Sequence, residues 1–245
     1  MRSTVEYGRA RVEVPGPHEV PLLFDLYRPD DAGSCPVAVL VHGGGFFEGS
    51  RSDVGMVRIG EELCSRGVAA VSIDYRLRDQ LPVASARVEV LARHLGDRIP
   101  AAVTAADDLL SSLDWIAGRT ADGMFDASGV VLVGSSAGAA TVNHVAYAMN
   151  GSSPVPIRGV ASVWGGSLVP ISGATTAVPP LITMHGSSDT VVPPKASEDL
   201  VAKVIELGGT AEHHVLDGGG HGHENSGIWE HEIRPGVVAI DHLVE

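Results

Sequence analysis

The sequence lacks several features that would place a chain in a particular class of protein. It has only two cysteines, Cys35 and Cys64, too few for the disulfide framework of a small secreted domain. No run of about 18 apolar residues occurs, so nothing indicates a membrane span. The first residues also lack the apolar core of a secretory signal. We therefore expect a cytoplasmic protein.

Positive charge is also scarce. Lys and Arg number 17 against 30 Asp and Glu, which gives a formal net charge of −13. A surface of this sign repels the phosphates of nucleic acids and of anionic lipids, so we expect neither nucleic acid nor a membrane as a partner. The 245 residues, 44% of them hydrophobic, suffice for one sizeable core and predict a single domain over residues 1–245. The sequence does not indicate an oligomeric state.

Short apolar runs alternate with helical stretches along the chain. This order predicts an α/β fold in which a mostly parallel sheet of eight strands has helices on both faces. Seven strands can be placed, the first as an antiparallel edge strand, at residues 20–27, 37–41, 68–73, 130–133, 159–163, 181–185 and 211–216. Helices are predicted at residues 54–66, 101–117, 137–149, 195–207 and 236–243. Sites in such sheets lie beyond the carboxyl ends of the strands.

The strand at residues 130–133 runs into the motif Gly134-Ser135-Ser136-Ala137-Gly138 and then into a predicted helix. A G-x-S-x-G pattern between a strand and a helix is typical of a sharp turn that exposes its central serine as a nucleophile. A side chain at Gly134 or Gly138 would collide where strand, turn and helix crowd together. The motif alone is a weak signal in a chain with 30 glycines, so the argument depends on its flanking elements. Ser136 is the candidate nucleophile.

A second glycine-rich segment, His42-Gly43-Gly44-Gly45-Phe46, follows the strand at residues 37–41. A tight turn after a strand would by itself explain three glycines. Acyl transfer, however, needs backbone N–H groups aimed at the oxygen that becomes negative in the tetrahedral intermediate, and glycines permit that close approach. Together with the serine turn, the segment predicts an oxyanion hole formed by the N–H groups of Gly44, Gly45 and Ala137.

These two motifs make the chain resemble α/β-hydrolases, and among them the esterases and lipases with a His-Gly-Gly-Gly oxyanion loop. The likeness covers about residues 20–221. It includes Asp74-Tyr75-Arg76-Leu77, a stretch better explained by fixing a loop than by chemistry, and Ala105-Ala106-Asp107-Asp108 at a helix start. It is a resemblance to hormone-sensitive-lipase-like carboxylesterases and to small feruloyl or acetyl-xylan esterases. It implies a serine hydrolase that acts on small-molecule esters of short or aromatic acids, without a cofactor.

The resemblance also implies that an acid and then a histidine follow the serine along the chain. Asp189 lies in the loop after the strand at residues 181–185, where the family carries its acid, and Asp217 is the reserve candidate. The base is expected in the glycine-rich loop after the last strand, where His221 is the candidate and His223 its rival. The acid would orient the histidine, and the histidine would take the proton of the serine.

Near the end of the chain, His223, Glu224 and His231 offer groups that ligate metals. None of the usual zinc-binding spacings is present among them. Solvated loop histidines explain these residues better, so no metal is predicted.

The spacing of the motifs limits what covers the site. The stretch between Ser136 and Asp189 holds a helix, a strand and a loop, and few residues precede His42, so we expect no large cap domain. Residues 80–100 form a longer connection, in which residues 88–95 have the pattern of a short amphipathic helix. We predict a small lid or a wall of the acyl pocket there, a surface excursion being the alternative. Other candidates for lining the pocket, which core packing explains equally well, are Phe46, Phe47 and Trp164.

Other functions stay open because the same motifs serve them. A lactonase, thioesterase, arylformamidase, peptidase or biosynthetic cyclase would share the chemistry as far as the acyl-enzyme. A non-catalytic binding protein on the same fold is a further alternative, although such proteins usually lose one of the three catalytic residues. Labelling of Ser136 by a fluorophosphonate would separate an enzyme from a binding protein.

Overall fold

The computed structural model describes residues 1–30, 32–95, 99–149, 151–171 and 177–222. Within them, one sheet contains the strands β1 Arg2–Val12, β2 His18–Tyr27, β3 Cys35–Val41, β4 Ala69–Ile73, β5 Phe125–Ser135, β6 Ile157–Val163, β7 Leu181–Gly186 and β8 Ala211–Leu216. Their order is β1-β2-β4-β3-β5-β6-β7-β8, and the neighbours from β4 onward are parallel. The predicted α/β fold with a mostly parallel sheet of eight strands is confirmed.

The helices lie in the connections between the strands. They are α1 Val54–Ser65, α2 Glu89–Leu95, α3 Pro100–Ala121, α4 Ala137–Asn143, which continues as the π-helical turn His144–Ala148, and α5 Lys195–Glu206. Each of the four predicted helices within the described residues is present to within a few residues of its predicted ends. The helix predicted at residues 236–243 lies outside the described residues. In the described part of the chain, no helix is both long and apolar enough to cross a membrane.

Side chains of the central strands alternate between two apolar clusters, one on each face of the sheet. Leu40 of β3 packs in one cluster with Leu63 of α1. Its neighbour Val39 packs in the other cluster with Leu109 of α3. Burial on both faces explains why the central strands are continuous apolar runs rather than alternating ones. It also confirms that helices cover both faces.

The prediction that residues 20–27 form the edge of the sheet is wrong. They lie within β2, which is antiparallel to its neighbours as predicted, but β1 pairs with the outer side of β2 and forms the edge. Of the residues in β1, Tyr7 and Val12 alone are buried. An edge strand with so little buried surface carries little of the apolar alternation by which strands are predicted.

A buried arginine fixes the chain that follows β4. The guanidinium of Arg76 donates to Asp108 of α3 at 2.7 Å and to the carbonyl oxygen of Val83 at 2.6 Å. Burial raises the pKa of Asp108 to about 6, and the hydrogen bonds and charge of Arg76 oppose that rise. These contacts show that Arg76 holds the loop after β4 against α3.

The connection at residues 80–100 is packed against α3. Val88, Leu91 and Leu95 are buried in the same apolar cluster as α3. Arg87 adds an ion pair with Asp114 at 2.7 Å. The predicted short helix is therefore present as α2 and anchored to the core, whereas its part in the acyl pocket stays a prediction. The described residues contain no separate cap domain, and residues 96–98 lie outside them.

Candidate active site

The turn between β5 and α4 holds Ser136 in an unusual backbone conformation. Its φ of 53° and ψ of −114° lie where a residue with a side chain is strained. A Cβ atom at Gly138 would lie 2.0 Å from the carbonyl oxygen of Val41, and one at Gly134 would lie 2.3 Å from that of Gly138. Both glycines are therefore required for the turn that presents the serine hydroxyl beyond the end of β5.

Three side chains from loops that follow β5, β7 and β8 form a chain of hydrogen bonds. The Oγ atom of Ser136 lies 2.8 Å from Nε2 of His221, and Nδ1 of His221 lies 2.7 Å from Oδ2 of Asp189. The carboxylate is fully buried, whereas the imidazole is 16% exposed. Parallel strands bring these loops to one edge of the sheet. In this geometry the imidazole can accept the serine proton while the carboxylate holds the opposite nitrogen.

The second oxygen of Asp189 is held by the backbone. Its Oδ1 atom accepts hydrogen bonds from the N–H groups of Val191 and Val192 at 2.8 and 2.9 Å. Burial by itself raises the pKa of this carboxyl, but the hydrogen bonds from His221, Val192 and Val191 outweigh burial, so the pKa of Asp189 lies below its ordinary value. The group is thus a carboxylate at neutral pH, as the orienting acid must be.

Of the two alternatives for acid and base, the structure describes only Asp217. Asp217 is exposed and accepts a hydrogen bond from Ser187 at 3.4 Å. His223 lies outside the described residues, as do Glu224 and His231. Among the residues that the structure does describe, no group of three His, Cys, Asp or Glu side chains is arranged to hold a metal ion.

The glycine loop after β3 lies beside the serine. A Cβ atom at Gly43 would lie 3.2 Å from the Cβ of Ser136. Gly44 and Gly45 have φ values of 100° and 61°, which glycine adopts without strain. Within the described part of the chain, the N–H groups of both have no hydrogen-bond partner. Ala137 is the first residue of α4, where N–H groups have no acceptor within the helix.

His42 and Tyr75 support this loop from beneath. The imidazole of His42 is buried and stacks on the Tyr75 ring with centroids 4.2 Å apart. Its Nδ1 lies 2.8 Å from the carbonyl oxygen of Gly43, and burial lowers the pKa of His42, so the ring is neutral. The hydroxyl of Tyr75 lies 3.1 Å from the carbonyl oxygens of both His42 and Gly43. Tyr75 therefore holds the two carbonyl groups that precede Gly44.

We expect Tyr75→Phe to lower kcat about fivefold and to leave KM unchanged, because one hydrogen bond of this kind contributes about 1 kcal/mol. Ester hydrolysis measures the effect. Tyr147→Phe is the matched control, since the Tyr147 hydroxyl is equally buried and also donates to a backbone carbonyl, that of Pro179 at 3.2 Å. Equal loss of stability in both variants with unchanged kcat in Tyr75→Phe would contradict a role in aiming the loop.

The three aromatic candidates for the pocket differ in their surroundings. Phe46 is buried against Tyr75, with ring centroids 6.1 Å apart, and Phe47 is exposed under the guanidinium of Arg78. Trp164 follows β6 with a φ of 50°, and its buried Nε1 has no partner among the described residues. Contact of these rings with a substrate stays a prediction.

The motif analysis missed one residue of this site, His185. It ends the apolar part of β7, is fully buried, and contacts Asp189 through Nε2 at 3.0 Å. The available signal was a titratable side chain at the end of an otherwise apolar strand, four residues before the candidate acid.

The BD-FAE family model matches residues 24–153, which is more than half of the chain. The matched part contains both the glycine loop after β3 and the turn with Ser136. The chain belongs to the BD-FAE family and is an esterase-type α/β-hydrolase.

Solved structures of the esterase Est2 from the planctomycete Thermogutta terrifontis have the same fold. The native form is 18% identical, with a TM-score of 0.69 over 98% of this chain and 90% of that chain. The propionate-bound form is 19% identical, with a TM-score of 0.70 over 98% of this chain and 92% of that chain. The form phosphorylated by paraoxon is 19% identical, with a TM-score of 0.71 over 98% of this chain and 91% of that chain. At this identity the likeness establishes the fold.

A curated relative is the non-reducing polyketide synthase prhL of Penicillium brasilianum. It is 42% identical over 78 residues, or 30% of this chain. The chain spans 3% of the length of that protein, so the likeness concerns one short segment.

Proposed function

We propose that the protein hydrolyses carboxylic esters of short or aromatic acids through Ser136, His221 and Asp189. The observation that carries the proposal is the hydrogen-bonded chain from the serine through the imidazole to the buried carboxylate. Family membership supports the class of reaction. The assignment of the three residues depends on their geometry, which matches the requirements for a nucleophile, a general base and an orienting acid.

The first half of the reaction forms an acyl-enzyme. The Oγ atom of Ser136 attacks the carbonyl carbon of the ester while Nε2 of His221 takes the hydroxyl proton. The carbonyl oxygen becomes an oxyanion, and the N–H groups of Gly44, Gly45 and Ala137 bind it. The tetrahedral intermediate then collapses, the bond to the alcohol oxygen breaks, and the imidazolium returns its proton to the departing alcohol.

The second half releases the acid. Water attacks the acyl carbon after giving a proton to Nε2 of His221, and the bond to Ser136 breaks as that proton returns to Oγ. The carboxylate of Asp189 stabilises the imidazolium in both halves and holds the tautomer with hydrogen on Nδ1.

One observation favours a second candidate function, acyl transfer from a thioester. The segment shared with the polyketide synthase covers 78 residues at 42% identity. A thioester would form the same acyl-enzyme, since only the leaving group differs. The two functions are therefore separated by substrate preference and by the acceptor of the acyl group.

The proposal is tested with p-nitrophenyl esters from acetate to decanoate, a p-nitrophenyl ester of an aromatic acid, and a butyryl thioester. We expect turnover of the short or aromatic esters, and labelling by a fluorophosphonate that peptide mass spectrometry places on Ser136. Labelling with turnover of the thioester alone would favour the second function. If the protein shows no labelling and no turnover, it is a binding protein on an esterase fold.

A further inference from the structure

His185 lies beneath the proposed catalytic residues, at the end of β7, with its imidazole fully buried. Its Nε2 atom lies 3.0 Å from Oδ2 of Asp189 and 2.9 Å from the carbonyl oxygen of Val192. Its Nδ1 atom lies 2.5 Å from Oγ of Ser197, which belongs to α5. Both ring nitrogens are thus engaged by the chain itself, and the imidazole has a single orientation.

The partners of Nε2 determine which nitrogen carries hydrogen. A carboxylate oxygen and a carbonyl oxygen can only accept, so Nε2 of His185 must be the donor. On the other side of the ring, the hydroxyl of Ser197 lies between Nδ1 and the carbonyl oxygen of Gly165, which is 2.7 Å away. The Ser197 hydroxyl can donate either to Nδ1 of His185 or to the carbonyl oxygen of Gly165, and in both cases Nε2 of His185 carries hydrogen.

Oδ2 of Asp189 therefore accepts hydrogen bonds from two imidazoles, His221 at 2.7 Å and His185 at 3.0 Å. We propose that His185 is a positioning residue that acts through Asp189, fixing the oxygen on which the base of the reaction is oriented. This inference depends on the catalytic roles proposed above for Ser136, His221 and Asp189, and it adds a fourth residue to them.

The physical reason is that a carboxylate can rotate about its Cβ–Cγ bond. Two backbone N–H groups hold Oδ1, and among the described residues the only side chain on Oδ2 besides His185 is His221, whose own position depends on Asp189. Nε2–H of His185 provides a contact on Oδ2 that does not depend on the catalytic imidazole. A base displaced by about 1 Å loses on the order of 100-fold in rate, so this support affects kcat.

The same hydrogen bond also limits the negative charge that Asp189 presents to His221. Its loss would change the electrostatic environment of the base, which the acid limb of the pH profile reports. Within the described residues, His185 is hydrogen-bonded to Asp189, interacts electrostatically with His213 of β8, and contacts the neutral Ser197 of α5. A variant of His213 therefore serves to separate the effect of that side chain on the acid limb from the effect of the contact with Asp189.

The test compares His185→Phe, which removes the donor, with His185→Gln, whose amide N–H can replace Nε2–H. Active sites are counted by fluorophosphonate titration, and kcat, KM and the pH profile are measured with p-nitrophenyl butyrate. For His185→Phe we expect kcat about 10- to 100-fold lower, KM within about threefold, and a displaced acid limb of the pH profile. His185→Gln should keep most of the wild-type kcat, and the acid limb of its pH profile should coincide with that of the wild type.

His213→Phe is the matched control. His213 also pairs with a buried side chain of β7, Thr183 at 2.5 Å, and no hydrogen bond joins it to Asp189 in the described residues. We expect it to leave kcat per active site and the acid limb unchanged. A His185→Phe protein that loses only thermal stability, with wild-type kcat per labelled site and an unmoved acid limb, would overturn the inference while leaving the proposed function intact.

A measurement on the unmodified protein covers the case in which His185→Phe does not fold. The ¹H–¹⁵N spectrum of the imidazoles should show His185 with hydrogen on Nε2, the signal being assigned by its loss in His185→Gln. Hydrogen on Nδ1 alone would overturn the inference. If the wild-type protein shows neither turnover nor labelling, the proposed function fails first and the role of His185 fails with it.

Discussion

Ser136→Ala should remove ester hydrolysis, with kcat lower by at least about 10⁴-fold. The variant lacks the atom that would carry the acyl group, because Oγ of Ser136 is the hydroxyl oxygen that lies 2.8 Å from Nε2 of His221. The oxyanion N–H groups remain, so a small rate above that of the uncatalysed reaction is expected to persist. The measurement is single-turnover and steady-state hydrolysis of p-nitrophenyl butyrate, with fluorophosphonate labelling of the same preparations.

The neighbouring serine provides the control. Ser135 ends β5 in the same turn, and Ser135→Ala removes a hydroxyl of the same size without touching the hydrogen-bonded chain. We expect its kcat to stay within about threefold of the wild type, as for a substitution outside the reacting groups. Comparable activity in Ser136→Ala and the wild type would exclude Ser136 as the nucleophile, and loss of activity in both serine variants would indicate a damaged turn.

The parts of the site that were predictable are those that a local backbone requirement fixes. The turn at Ser136 needs glycine at positions 134 and 138, since a Cβ at either would lie within 2.3 Å of a backbone oxygen. Such a requirement leaves a mark in five consecutive residues. The loop of Gly44 and Gly45 is similar, because its positive φ values restrict the residues that fit. The resemblance to the family, together with position after a strand, then favoured Asp189 over Asp217 and His221 over His223, and the structure brings Asp189 and His221 together.

The parts that were not predictable depend on contacts between distant segments. His185 has the sequence context of an ordinary strand end, and its importance arises only because the loop after β7 folds back so that Asp189 and Val192 both face its Nε2. β1 was missed for a different reason. It pairs on one edge only and buries two side chains, so its stability depends on hydrogen bonds with β2 that leave no apolar pattern.

Asp189→Asn is expected to lower kcat by about 10⁴-fold, as when the orienting acid of a serine hydrolase becomes an amide. The contacts of Asp189 make the amide incompatible in either orientation. With its NH₂ group at the Oδ2 position, asparagine would face the N–H groups of His221 and His185. With its NH₂ group at the Oδ1 position, it would face the N–H groups of Val191 and Val192. Donors oppose donors in both cases, so the catalytic imidazole loses its orientation.

Asp217→Asn is the matched control for this variant, because Asp217 is the other aspartate close to the loop of the base and its carboxylate is exposed. Hydrolysis of p-nitrophenyl butyrate should fall strongly for Asp189→Asn and stay within about threefold for Asp217→Asn, since solvated carboxylates contribute little to a distant reacting group. The reverse result would assign the orienting acid to Asp217. It would also require that the loop after β8 rearrange when substrate binds, because in the present geometry Nδ1 of His221 contacts Asp189 at 2.7 Å.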